Sequence, residues 1–330
     1  MANSVVRYGL LSTARIGFTA HVPAARTSPN SEIVAICSRD EAKAATAAKE
    51  HGIPLSFGSY EAMLESPEID AVINTLPNSM HHEWTIKAAE AGKHILCEKP
   101  LSATMAEAHE MAAAAKANNV VLVEAFTPRW NKQMKTVRKL VADGAIGNVT
   151  GLQAGLTFMV TDPTNIRLSK ELAGGSLMDA GCYAVYAVRY ALGDEPVRAA
   201  AIARKKPPFE VDTTLSGFLE FPRGAVAYVT SSVEQTSRRF LSVTGETGSI
   251  SLPNAFSETS PVVITREEDV EKMEMTSVNR FQVQLDEFSE CVLTGKAPEF
   301  PVVDGLRNMS AVIALLEAAE KGSTVDVEQV

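Results

Sequence analysis

The 330-residue chain is poor in cysteine. Its four, Cys37, Cys97, Cys182 and Cys291, form no CxxC pair and no metal-ligand spacing, which argues against a disulfide framework or a zinc ribbon and for a reducing compartment. Basic charge is also in deficit: Lys+Arg 31 against Asp+Glu 40 gives 31 − 40 = −9. A nucleic-acid partner held by a broad basic field is therefore not expected. Nowhere do 18 strongly apolar residues run together, and Met1 to Val6 carries no basic stretch leading into an apolar run. The expectation is a cytoplasmic protein without membrane span or export signal. Histidine stops early, since His21, His51, His81, His82, His94 and His109 all precede residue 110 and no HExxH or other close metal cluster occurs. No metal is expected, and the second half has no imidazole for acid/base chemistry.

What is present is ordinary globular composition, 45% hydrophobic and 22% charged, at a length that predicts about two domains. From Val5 to about Phe126, short β-branched runs alternate with helical spacing. Strands are expected at Val6 to Leu11, Ile33 to Cys37, Leu55 to Phe57, Ala71 to Leu76, His94 to Cys97 and Val120 to Val123. Helix-compatible segments lie between them, the pattern of a doubly wound parallel sheet. After a helix over Lys132 to Asp143, β-like runs follow one another with turn signals and few helices of crossover length. This reads as an α+β domain with a large, mainly antiparallel sheet. The expected division is 1–127 for a nucleotide domain and 128–330 for substrate binding and oligomerisation, closed by a helix from Asp304 to Lys321 that stops at Gly322.

The first strand runs into Ser12-Thr13-Ala14-Arg15-Ile16-Gly17, where a dinucleotide fold places its GxGxxG turn. Only the third glycine is kept. Ser12 and Ala14 are small enough for close backbone approach to a pyrophosphate, and the Ser12 hydroxyl offers a further donor. The second strand ends Cys37-Ser38-Arg39, with Asp40 one step later. A guanidinium and a small hydroxyl suit a 2′-phosphate better than a bare ribose, so NADP(H) is expected in preference to NAD(H).

Residues 71 to 100, AVINTLPNSM HHEWTIKAAE AGKHILCEKP, resemble the PN-x-x-H and AGKH-x-x-x-EKP signature of the glucose-fructose oxidoreductase, inositol dehydrogenase and rhizopine-catabolism family (Gfo/Idh/MocA). The stretch Ala173 to Tyr183, AGGSLMDAGCY, resembles that family's second-domain motif. Tyr183, four residues after Asp179, the Ser12-to-Arg15 turn, Ser38-Arg39, and Glu124-Ala125-Phe126 with Arg129 resemble the branch of dihydrodiol and NADP-linked D-xylose dehydrogenases. The resemblance implies a Rossmann domain, a homodimer or higher homo-oligomer, and Lys99 as the catalytic lysine beside Glu98. It also implies a nicotinamide-ribose loop at Leu76, Pro77 and Asn78. His81 matches the family histidine and is assigned with this cofactor loop, for packing or capping. Arg129 would reach cofactor phosphate or substrate, and Trp130 would wall a pocket. Phe158 and Arg167 are set on the substrate side.

A dehydrogenase needs one positioned acid/base to take the hydroxyl proton as hydride leaves. Without imidazole, Lys and Tyr are the candidates. The Lys99 ammonium, ordinarily near pKa 10.4, must fall or else act as the cation that activates the Tyr183 phenol. Both roles stay open. Asp179 and Tyr183 share a face if their segment is helical, with Asp179 orienting a substrate hydroxyl and Gly174-Gly175 admitting a ligand. The expected activity is hydride transfer between nicotinamide and a CH–OH group of an aldose, a related polyol or a dihydrodiol. A biosynthetic keto-sugar reductase, an NADP-sensing regulatory protein and an NAD-dependent glycosidase are the alternatives.

Overall fold

The computed structural model describes residues 5–330; Met1 to Ser4, the start of the expected first domain, lie outside the described residues. The chain divides into two compact units, one running to Thr127 and taking in Asn279–Leu306, the other comprising Pro128–Val278 and Arg307–Val330.

In the first unit the β-branched runs form β1 (Val6–Leu11), β2 (Ser31–Cys37), β3 (Leu55–Phe57), β4 (Ala71–Asn74), β5 (His94–Glu98) and β6 (Leu122–Ala125). Helices α1 (Val22–Thr27), α2 (Glu41–His51), α3 (Tyr60–Leu64), α4 (His81–Glu90) and α5 (Met105–Ala117) alternate with them. All strand pairs are parallel in the order β3-β2-β1-β4-β5-β6. This is the Rossmann order, whose ligand crevice opens where the order reverses between β1 and β4. Every residue of β4 is buried, as a strand covered on both faces requires. Helix starts are fixed by side chains: Asp40 accepts from Lys43 N, and Thr104 with Glu107 forms a reciprocal capping box.

β2 starts earlier than expected, at Ser31, and β5 and β6 run on to Glu98 and Ala125, while two other strand ends differ because side chains take the backbone bonds. β4 stops at Asn74, where Asn74 Oδ1 accepts from Leu76 N at 3.3 Å. β6 starts late, at Leu122, because Val121 N donates to His94 Nδ1.

The second unit carries α6 (Lys132–Ala142), α7 (Cys182–Leu192) and a nine-stranded sheet: β7 (Val149–Met159), β8 (Arg198–Arg204), β9 (Thr214–Glu220), β10 (Val226–Ser232), β11 (Glu234–Gly245), β12 (Ser249–Leu252), β13 (Val262–Arg266), β14 (Asp269–Met273) and β15 (Val325–Asp326). The order is β14-β13-β12-β11-β7-β10-β9-β8-β15, antiparallel at every pair but β7 with β10. That parallel pair is possible because the chain between them is long enough to cross over. Helix α7 covers one face. The period of two is plain in β9, where Leu215 and Leu219 are buried while Phe218 is 53% exposed.

Helices α8 (Arg280–Thr294) and α9 (Val302–Lys321) complete the chain, with Gly322 left-handed at φ 64° after α9. The expected division needs one correction. Asn279–Leu306 belongs with the first unit, not with residues 128–330. α8 packs on α1, β1 and β2, and its Ser289 hydroxyl meets the buried Tyr8 hydroxyl at 2.6 Å and Ser31 Oγ at 2.8 Å. A buried phenol needs such a partner, and burial pushes the Tyr8 pKa well above its ordinary value.

Candidate active site

Beyond β1 the chain turns at Ser12, whose φ of 112° is one glycine ordinarily takes. Its hydroxyl closes the turn: it receives Ala14 N–H at 3.2 Å and lies 2.9 Å from Thr75 Oγ1. Thr75 donates its own proton to Leu11 O, so the Ser12 proton points to Thr75. The expectation that this hydroxyl is a spare donor for pyrophosphate is thus corrected. Gly17 is buried, and a Cβ there would meet Leu10 Cδ1 at 3.3 Å. This tight helix-to-strand approach is the role of the third glycine in a dinucleotide turn. The segment Gly17–His21 is a single π turn, a feature common at functional sites. Small turn residues, a helix start and the reversal of strand order together fit a dinucleotide.

At the end of β2, Ser38 is buried and its hydroxyl receives Asp40 N–H at 3.2 Å, while Arg39 is exposed. The Asp40 carboxylate caps α2 at 3.0 Å from Lys43 N. The guanidinium is therefore the group this loop presents. Arg39 also bears on Tyr60, whose pKa burial raises and Arg39 lowers.

After β4 come Leu76, Pro77 and the short turn Asn78–Met80, half-buried apart from Leu76. His81, fully buried, has Nε2 2.9 Å from Leu76 O and Nδ1 2.9 Å from Pro100 O. Burial holds its pKa below the ordinary imidazole value, against the hydrogen bonds that raise it. Lys99 follows β5 and is half-buried. Its neighbour Glu98 accepts from His21 Nε2 at 2.8 Å, and Leu101 N donates to the buried Glu124 carboxylate at 2.9 Å. The candidates of this unit, Ser12 to Ile16, Ser38, Arg39, Leu76 to Asn78, Glu98 and Lys99, all stand at or just beyond the carboxyl ends of parallel strands, where open α/β sheets bind ligands.

In the second unit Arg167 Nε donates to Asp179 Oδ2 at 2.7 Å, and its guanidinium carbon lies 5.6 Å from the Phe158 ring centroid. Three substrate-side candidates are thus one contiguous group. Asp179 lies in a second π turn, Leu177–Gly181, which leads directly into α7 and Tyr183. Gly174 and Gly175 serve a different purpose from the one expected. A Cβ at Gly174 would meet Arg167 O at 2.5 Å, and one at Gly175 the Asp212 carboxylate at 2.3 Å. What approaches these glycines is the protein itself.

Asp212, 5% exposed, receives Ser176 O–H at 2.6 Å and Leu177 N–H at 2.8 Å. It thereby caps the π turn, and burial raises its pKa. Tyr183 is half-buried and packs edge-on against Phe256, with ring centroids 5.5 Å apart. Phe256 has a positive φ of 61°, a strained setting for a bulky residue. Its segment is tied down through Ser257 O to Asn131 and Ser260 O to Gln133. Arg129 and Trp130, beside Asn131, are 1% and 5% exposed. Asp212, Phe256 and His21 lie outside every motif, and no local sequence signal marks them.

The model of the Gfo/Idh/MocA oxidoreductase family, NAD-binding Rossmann fold, matches residues 6–126, and that of the Gfo/Idh/MocA C-terminal domain matches residues 134–251. A D-xylose 1-dehydrogenase (NADP+) of Haloferax volcanii is 36% identical over 326 residues, covering 97% of this chain and 99% of that protein. The chain belongs to this family. Two solved structures place the oxidoreductase further. An aldose-aldose oxidoreductase from Caulobacter crescentus, complexed with glycerol, is 32% identical at a TM-score of 0.91, covering 98% of this chain and 100% of that one. A 3-ketoreductase from Actinomadura kijaniata, in complex with NADP and TDP-benzene, is 28% identical at a TM-score of 0.91, covering 95% and 98%. Among the described residues of this oxidoreductase no helix is long and apolar enough to cross a membrane, and no group of three or more His, Cys, Asp or Glu could hold a metal ion.

Proposed function

We propose that the chain is an NADP(H)-dependent dehydrogenase of a sugar or related polyhydroxylated molecule, an aldose such as D-xylose oxidised at C1 being the leading substrate class and a dihydrodiol the second. The observation that carries the substrate class is the half-exposed Arg167–Asp179 pair beside Phe158. Guanidinium donors and a carboxylate acceptor side by side suit vicinal hydroxyls, and an aromatic ring suits the apolar edge of a sugar. Kinship with a D-xylose dehydrogenase and an aldose-aldose oxidoreductase supports the same class.

The preference for NADP over NAD rests on the end of β2. Arg39 is exposed there and Asp40, the carboxylate that a ribose diol would need, is engaged as a helix cap. The turn at residues 12–16, the loop Leu76 to Asn78 and Glu98 would hold the dinucleotide. When bound, the nicotinamide supplies the two-electron acceptor or donor. Lys99 and Tyr183 carry the substrate proton, and Asp179, held by Arg167, orients a hydroxyl. Residues up to Thr127 form the nucleotide domain, joined by Asn279–Leu306, and the nine-stranded sheet bears the substrate side. The exposed apolar side chains Ile202 and Phe218 on that sheet suit a homodimer contact. Four free, buried thiols suit the cytoplasm.

The test is NADP or NAD reduction, followed by nicotinamide absorbance, against aldoses, polyols, inositols and dihydrodiols, with keto-sugars run in the reverse direction. NADP reduction by an aldose or diol is expected. Tight NADPH binding with silence across the panel would overturn the dehydrogenase reading in favour of a cofactor-sensing role.

A further inference from the structure

Residues 98–101 leave the end of β5 as Glu-Lys-Pro-Leu, and every residue around Lys99 in this run is gripped by a buried polar side chain from a distant part of the first unit. On the amino side, His21 Nε2 holds Glu98 Oε1 at 2.8 Å. On the carboxyl side, His81 Nδ1 is 2.9 Å from Pro100 O, and Glu124 Oε1 accepts Leu101 N–H at 2.9 Å. His21 and His81 have no exposed surface, and Glu124 is 1% exposed. The second nitrogen of His81 stands 2.9 Å from Leu76 O, so one ring lies between the loop of Pro77 and Asn78 and the loop of Lys99, its neutral form donating to one of the two carbonyls at a time. Behind them Gly305 closes in: a Cβ there would meet Leu101 Cδ2 at 3.2 Å and Glu124 Oε2 at 3.3 Å.

Burying imidazole and carboxylate is costly, and apolar residues of similar size would fill the same volume without that penalty. The His81 and Glu124 atoms are aimed instead at one peptide group just beyond Lys99, its Pro100 C=O and its Leu101 N–H. Holding that peptide group on one side of Lys99 and the Glu98 carboxylate on the other restricts the backbone from which the ammonium extends. A misplacement of about 1 Å in a reacting group is enough to cost roughly a hundredfold in rate.

We propose that His81 and Glu124 are positioning residues for Lys99, fixing the peptide group between residues 100 and 101 so that the ammonium is delivered in one place. The inference rests on the reading of Lys99 as a proton-transfer group. Glu124→Leu and His81→Phe remove the grip, whereas Glu124→Gln keeps a carbonyl oxygen to accept Leu101 N–H. Each is assayed as the full-length protein with NADP and D-xylose, or whichever sugar of the panel is oxidised, and NADPH affinity is read separately by nucleotide fluorescence.

The expected result is a kcat lowered roughly ten- to hundredfold in Glu124→Leu and His81→Phe; in Glu124→Leu, which leaves the Leu76 loop untouched, NADPH affinity and the KM for NADP stay within about twofold of the parent. Glu124→Gln should recover to within about threefold. Parent-like kcat in either disrupting variant, a Glu124→Leu loss carried by NADPH affinity instead, or a Glu124→Gln variant as poor as Glu124→Leu overturns the proposal. If Glu124→Leu does not fold, kcat at saturating NADP in His81→Phe and the smaller His81→Asn decides. Lys99→Ala separates the two layers: an active Lys99→Ala protein sinks the reading of Lys99 and the grip with it, whereas an inactive one beside parent-like grip variants sinks the grip alone.

Discussion

Replacing Arg39 by Asp inverts the charge offered at the end of β2 and should invert the choice of cofactor. In the parent, Arg39 is exposed, Ser38 Oγ is engaged by Asp40 N, and the Asp40 carboxylate is engaged by Lys43 N. The guanidinium is therefore the group able to meet a 2′-phosphate. A charge-assisted hydrogen bond contributes about 1.5–3 kcal/mol, and about 1.4 kcal/mol is a factor of ten. NADP should weaken roughly ten- to a hundredfold. The new carboxylate accepts hydrogen bonds from the ribose diol of NAD and repels a phosphate, so the NADP-to-NAD ratio of kcat/KM should fall by about two orders of magnitude. Folding should be unaffected, because an exposed substitution of this kind stays within about 0.5 kcal/mol. The assay measures kcat/KM for both cofactors with one sugar, with the thermal midpoint as a control. An unchanged cofactor ratio in a normally folded variant would refute the assignment of Arg39. The Tyr60 phenol supplies an independent mark of the lost guanidinium: its pKa, already raised by burial, should rise further.

Lys99→Ala should lower turnover at least roughly a hundredfold, in the range expected for losing an acid/base group, while NADPH binding stays intact; near-parent turnover removes Lys99 from the mechanism. Gly174→Ala drives a methyl group to 2.5 Å from Arg167 O, an overpacking that should cost about 1–3 kcal/mol and displace the Arg167–Asp179 pair. A thermal midpoint and sugar KM equal to the parent's would count against it. Acidification should destabilise the fold, since burial lowers the pKa of His81 and His94. The native state then holds fewer protons than the unfolded chain just below the ordinary imidazole pKa of about 6.5, so stability is full above that value and declines as pH falls through it. A thermal midpoint that stays level from about pH 7 to pH 6 would contradict this.

The first sheet is legible in the sequence because its strands are short, mostly apolar runs set between helix-compatible segments, several of them ended by a Gly, Ser or Asn, and because motif residues at strand ends need no long-range pairing to be located. The second sheet is legible in its middle, where runs such as Thr214–Glu220 alternate strictly. It is illegible at one edge, where Asp269–Met273 is charged and largely exposed and carries no apolar period, as edge strands often do not. Residues that act at a distance also escaped. Asp212 caps a turn 35 residues away, and Phe256 reaches Tyr183 by holding a backbone conformation its residue type disfavours. The Ser12 hydroxyl and the Gly174-Gly175 pair stand out in the sequence, but their partners, Thr75 for the one and Arg167 O and Asp212 for the other, do not. A small residue announces that something comes close without saying what.

The buried Tyr8, Ser31 and Ser289 hydroxyls bear on how this protein is made. A ribosome that has released everything up to Thr127 has delivered all six strands of the first sheet but not the helix that carries Ser289. Until residues 279–306 emerge, the Tyr8 and Ser31 hydroxyls at the amino end of that sheet lack their native partner. The first unit is therefore finished after most of the second has been synthesised, and a gene cut at residue 127 yields an incomplete domain rather than a portable one.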